Sequence, residues 1–198
     1  MEKSEILEFV RRMKAKDHVV MFYSKPEDKR HVLFTYLKAG LDQGEAAAYV
    51  ASEETPNEIK QAMKKFGIDV DSVEKSGALH VIDYKNWYII GGKSSIPKTM
   101  ELWKKLYNEA MAKGFKGLRI TGETACFFNH GMVKELVKYE KSLHKVFELP
   151  MTGICAYDTN VVAKEGGGEI YLDLIKAHST VIFAGPEASV VKSQLEDS

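Results

Sequence analysis

Residues 17–54 read DHVVMFY, SKPEDKR, HVLFTYLKAGLDQG and EAAAYVASEE. A short apolar run is followed by a polar turn, a stretch with helical spacing, a glycine and a second apolar run. This predicts strand, turn, helix and strand, the opening of a parallel α/β sheet. In nucleotide-binding proteins of this layout, the first turn cradles phosphate with inward-facing backbone N–H groups, which glycines permit. Here the turn is Ser24-Lys25-Pro26-Glu27-Asp28-Lys29-Arg30, with no glycine and no Gly-Lys-Ser/Thr. Pro26 removes one N–H, and Glu27 and Asp28 put negative charge where phosphate would lie. The turn itself is expected to start the helix through a capping box, Ser24-x-x-Glu27, with Pro26 at its beginning.

Working outward, strands are expected at His18–Tyr23, Ala46–Ala51, Leu79–Asp83, Gly117–Thr121, Met151–Tyr157 and Thr180–Phe183. Helices are expected between them, one opened by a second capping box, Thr55-Pro56-Asn57-Glu58. Strands separated by helices of this length imply parallel pairing with right-handed crossovers. The fold class is α/β, three layers, a mainly parallel sheet with helices on both faces. Gly166–Gly168 reads as a flexible break. The apolar loop Tyr84–Ser95 reads as a lid over a crevice, a subunit contact or a folded-in loop, with the first two favoured.

The chain has 198 residues, with 28 Lys+Arg balanced by 28 Asp+Glu. That is large enough for one self-sufficient core, and its zero net charge argues against a basic nucleic-acid face. Residues 1–16 read as an amphipathic helix packed on the body, 17–185 as one domain and 186–198 as a polar tail. The two cysteines make no disulfide framework, and no apolar run is long enough to span a bilayer. A cytoplasmic protein is expected, with no signal peptide, no membrane attachment and no direct nucleic-acid contact.

In open parallel sheets, ligands bind outside the strand carboxyl ends. The rim delivered there is acidic and aromatic: Tyr23, Ser52-Glu53-Glu54, Asp83-Tyr84, Thr121-Gly122-Glu123 and Tyr157-Asp158. Glu53 and Glu54 read as general bases, as metal ligands, or as a solvated acidic pair before a helix. Glu123, after Gly122, is the better-placed carboxylate. Arg119 is the main candidate cation, with a buried ion pair as its other reading. Cys126 and His130 lie four apart and can be drawn with Glu123 and Cys155 as a metal set, but no CxxC, HxxxH or HExxH supports it. No nucleophile–base arrangement is legible, so neither catalysis, cofactor nor metal is expected.

These residues resemble the MEDS domain, the sensory domain of methanogen and methylotroph regulators typified by DcmR. The resemblance rests on Asp17-His18-Val19-Val20-Met21-Phe22-Tyr23, Phe34 with Gly40-Leu41 and Gly44-Glu45, and Gly77-x-Leu79. It continues through Leu118-Arg119-Ile120-Thr121-Gly122-Glu123, Tyr139-Glu140, Cys155-x-Tyr157-Asp158 and Ala177-His178. It implies a RecA/KaiC-like fold with a degenerate nucleotide site and a role in sensing small hydrocarbon-derived molecules. By position it implies His18, Tyr23, Arg119, Glu123, Tyr139, Glu140, Tyr157 and His178 as sensing residues, to which the rim adds Glu53 and Cys126. Cys126 and Ser179 depart from the family pattern. The expected partners are a small-molecule ligand and a second copy or a regulatory protein. The alternatives are a residual KaiC-type nucleotide binder and a ligand-free interaction module.

Overall fold

A computed structural model describes residues 3–165, 167–185 and 189–192. In chain order the elements are α1 (Lys3–Arg11), β1 (His18–Tyr23), α2 (Pro26–Asp42), β2 (Ala46–Ala51), α3 (Pro56–Phe66), α4 (Val70–Lys75) and β3 (Leu79–Asp83). There follow a short hairpin of β4 (Ile89–Ile90) and β5 (Lys93–Ser94), then α5 (Ile96–Ala112), β6 (Leu118–Glu123), α6 (Ala125–Asn129) and α7 (Val133–Leu143). The chain ends in β7 (Met151–Asp158), α8 (Thr159–Glu165), α9 (Gly167–Lys176), β8 (Thr180–Ala184) and β9 (Ser189–Lys192). Among the described residues, seven strands form the main sheet in the order β3-β2-β6-β7-β1-β8-β9. All neighbours are parallel except β8 and β9. No described helix is long and apolar enough to cross a membrane.

The central strands are buried on both faces, so they read as nearly continuous apolar runs. Alternation along them separates two cores. Val20 and Phe22 of β1 join Cys155 and Tyr157 of β7 under α5–α9. Val19, Met21 and Tyr23 face α1, α2 and α3. Ile6, Val10 and Met13 are buried against that second core, so the N-terminal segment is packed on the body.

α2 starts differently from the expected capping box. Its N-cap is Lys25, whose side chain makes no cap hydrogen bond, with Pro26 in the first turn. Pro26 fixes the entry angle, and Glu27 and Asp28 answer the helix dipole. The box at Thr55 and Glu58 is complete in both directions. Lys29, Val32, Leu33, Tyr36, Leu37 and Gly40 fall on the buried face of α2 at helical spacing. Gly40 is needed for space: a Cβ there would lie 2.4 Å from Cδ of Arg119.

The Tyr84–Ser95 segment is folded into the body at its apolar residues, the third of its expected readings. Trp87, Tyr88 and Ile89 are buried. Trp87 meets Trp103 edge-on at 4.6 Å, and Tyr88 packs on Phe127 and Tyr139. Apolar rings of this size have more to gain in their own core than in water. Gly122 admits the Tyr88 hydroxyl, since a Cβ at 122 would stand 2.1 Å from it. Gly122→Ala is therefore expected to cost about 1–3 kcal/mol by overpacking. Chemical denaturation should read the loss, and Trp87 should become more accessible to a fluorescence quencher.

Three short helices, α4, α6 and α8, and strands β4, β5 and β9 stand where the sequence predicted none. β9 lies within the expected polar tail and pairs with β8 through Phe183↔Ser189 to Thr180↔Lys192. The rest of that tail, 186–188 and 193–198, together with residues 1–2 and Gly166 of the expected break, lies outside the described residues.

Candidate functional site

The candidate residues divide into three places. The first is the carboxyl end of the sheet. Glu123 ends β6 with its side chain fully buried toward α2. Lys29, from the buried stripe of α2, donates to Glu123 Oε1 at 2.6 Å and to Glu53 Oε2 at 2.8 Å. The other Glu123 oxygen accepts the backbone N–H groups of Ser52 and Glu53 at 2.8 and 2.7 Å. Tyr49 donates to Glu123 Oε1 at 2.5 Å, and Tyr23 donates to Glu53 Oε1. Arg30 pairs with Glu54 on the outer side.

Glu53 exposes its backbone, yet its side chain is only 21 % exposed, because the carboxylate folds back over Lys29. Burial and the facing Glu123 carboxylate raise the Glu53 pKa, against the pull of Lys29. For Lys29, burial works against the charge, but Glu123 and then Glu53 outweigh it and the pKa lies above its ordinary value. Burial, then the charge and hydrogen bond of Glu53, pushes Tyr23 far above its ordinary range. The rim thus carries its own cations, Lys29 and Arg30. Arg119 does not belong to it. Lys29 was missed, although its place on the apolar stripe of α2 was a legible signal.

Arg119 is the second place, near the amino end of β6. It is buried, with Nε donating to Glu45 at 2.5 Å and Nη1 donating to the carbonyls of Val10 and Tyr36 at 3.1 Å. Its guanidinium lies 5.2 Å from the Tyr36 ring centroid. Of its two expected readings, the buried ion pair is the one present.

The third place lies on the opposite face of the sheet, under α7 and α9. His18 begins β1, so it stands at a strand amino end and away from the carboxyl rim. Its Nε2 is 3.5 Å from Cys155 Sγ and 3.8 Å from Glu140 Oε2. His178, in the turn before β8, places Nε2 3.3 Å from the same carboxylate oxygen. Tyr157 donates to Glu140 Oε1. Burial, then the neighbouring His178 and His144, lowers the His18 pKa well below the ordinary histidine value. Burial, then Glu140, raises that of Cys155. Only the fold brings these residues together, from positions 18, 140, 155 and 178.

Two candidates take ordinary structural positions. Tyr139 accepts a hydrogen bond from Trp103 Nε1 at 3.1 Å and packs on Phe127. Cys126 is buried on α6, where burial lifts its thiol pKa to about 11, and its N–H donates to Ser52 Oγ at 2.8 Å. The drawn metal set of Cys126, His130, Glu123 and Cys155 does not assemble. Glu123 and Cys155 face opposite sides of the sheet, and His130 Nδ1 meets the Cys126 carbonyl at 2.8 Å.

Beside the first place, a groove of ≈ 280 Å³ runs between α1, the start of α2 and the end of β8. Ile6, Leu7, Val32 and Ala184 give it apolar walls, and Glu27, Asp28 and His31 give it polar ones. Apolar walls with a few convergent polar groups suit a small guest.

A family model described as MEDS, the MEthanogen/methylotroph, DcmR Sensory domain, matches residues 17–179. A UPF0273 protein of Thermotoga maritima is 32 % identical over 84 residues, which cover 37 % of this chain and 35 % of that protein. The match thus spans about a third of that relative's length. A KaiC-like protein from Pyrococcus horikoshii OT3 superposes with a TM-score of 0.61 at 16 % identity, over 92 % of this chain and 81 % of that one. Another solved Pyrococcus horikoshii OT3 structure gives 0.62 at 11 % identity, over 100 % and 95 %. The mainly parallel α/β sheet is KaiC-like, as the resemblance implied.

Proposed function

The chain belongs to the MEDS sensory-domain family, and from that premise we propose that it binds a small hydrocarbon-derived, C1-type molecule without acting on it chemically. The proposed seat is the groove at the strand carboxyl ends. One observation carries this reading: the turn where a phosphate loop would stand leads into a helix whose lysine is already paired within the fold. Pro26 leads straight into α2, and Lys29 is turned inward onto Glu53 and Glu123. A cation already neutralised by one buried and one half-buried carboxylate has little to offer a phosphate. The adjacent groove has apolar walls and the carboxylates of Glu27 and Asp28, which favour a small methylated cation over an anion.

Binding would signal by favouring one arrangement of α1 against α2, passed to a regulatory protein or to a second copy. Isothermal calorimetry with methylated amines, thiols, alcohols and halomethanes tests the reading, with Mg-ATP as the competing ligand. The expected result is stoichiometric binding of one such compound, weakened severalfold by Glu27→Gln. Binding of none of them sinks the proposal. Binding of Mg-ATP alone replaces it with a nucleotide reading.

A further inference from the structure

We propose that His18, Glu140, Cys155 and His178 form a binding site for a transition-metal ion of the zinc class. This goes beyond the sensory reading and does not depend on it. The four donor atoms, His18 Nε2, Glu140 Oε2, Cys155 Sγ and His178 Nε2, lie within 4.8 Å of one another. They come from β1, α7, β7 and the turn before β8, so the set is assembled by the fold and is not a run along one helix.

Three of the six donor–donor distances lie close to the edges of a tetrahedron. Zinc bonds of about 2.0–2.1 Å to nitrogen, 2.0–2.2 Å to oxygen and 2.3 Å to sulfur give edges of about 3.4 Å for N···O and about 3.6 Å for N···S. The N···O edges here are 3.3 Å for His178–Glu140 and 3.8 Å for His18–Glu140. The N···S edge, His18–Cys155, is 3.5 Å. A closed set of one thiolate, two imidazoles and one carboxylate suits zinc, with cobalt as its spectroscopic substitute.

The surrounding groups hold the ligands in the right state. His178 Nδ1 lies 2.7 Å from the Leu174 carbonyl. A carbonyl only accepts, so Nδ1 carries the proton and Nε2 turns its lone pair toward the other donors. That lone pair lies on the same side as the Glu140 oxygen, where a metal ion would join the two. Tyr157 donates to the other Glu140 oxygen and orients the carboxylate. The His18 ring stacks on Phe147 at 4.5 Å, which fixes its plane. The metal would take up the Cys155 thiolate and release its proton to solvent.

The experiment titrates the tag-free, chelator-treated full chain with Zn²⁺ against a chromophoric chelator, and with Co²⁺ followed by absorption. One equivalent of Zn²⁺ per chain is expected, and Co²⁺ should show a thiolate charge-transfer band. Cys155→Ser and His178→Gln should each weaken binding by about 100-fold or more, and Tyr157→Phe by about 10-fold or more. His80→Asn, on β3 at the far side of the sheet, should bind as wild type. Circular dichroism confirms that each variant is folded. Absence of stoichiometric binding by the wild type overturns the proposal, as does binding that Cys155→Ser and Tyr157→Phe both leave intact.

Discussion

Lys29→Met is expected to lower stability by about 3–5 kcal/mol, the cost of leaving buried charge without its partner. Methionine fills similar volume, so the loss would report charge and not a cavity. Lys29 is fully buried, and its ammonium separates Glu53 from Glu123. Without it two carboxylates face each other, and one must take up a proton or turn out to water.

The pH dependence of that loss has a definite sign. The folded-state pKa of Glu53 is already raised by burial and Glu123, and Lys29 pulls it down. Removing Lys29 raises it further. A carboxylate with a raised folded pKa stabilises the fold most below its unfolded value, and that contribution is lost as pH rises through the folded value. The destabilisation by Lys29→Met is therefore expected to be larger at pH 7.5 than near pH 4.5. Urea denaturation at the two values reads it. Equal losses at both would show that Glu53 and Glu123 do not feel Lys29.

Arg119→Met is expected to cost on the order of 3 kcal/mol, because it breaks a mostly buried ion pair and removes the donor shared by two buried carbonyls. Glu45 is 21 % exposed, so water can solvate that partner, and most of the loss should come from the Val10 and Tyr36 carbonyls. The Val10 contact ties the end of α1 to the sheet. Hydrogen exchange should thus quicken in α1 beyond the global change. A ligand bound in the carboxyl-end groove should keep its affinity in the folded variant. A loss of affinity with α1 still protected would return Arg119 to the binding residues.

The parallel α/β architecture was legible because its signals are local. The runs at 18–23, 46–51 and 79–83 are apolar enough to be strands and are separated by helical spacing, and the observed strands have the same bounds. β6 ran past its expected end at Thr121 to Glu123, since Gly122 stays within the strand and makes a close approach to Tyr88. α4 and α8 are too short for periodicity to announce. β9 owes its form to pairing with β8, which local composition does not encode.

The sites divide along the same line. The absence of a phosphate loop is a property of seven consecutive residues, so the amino-acid sequence alone determined it, whereas the β6–β7 register that sends Glu123 and Cys155 to opposite faces came from the tertiary structure. What Lys29 pairs with needed the tertiary structure, because it meets Glu123 across 94 positions of chain. His18 and Cys155 meet across 137 positions. Contacts at such separations depend on strand order and helix docking, and it is these that turn a scattered set of polar residues into one internally paired rim, one structural arginine and one buried four-donor cluster.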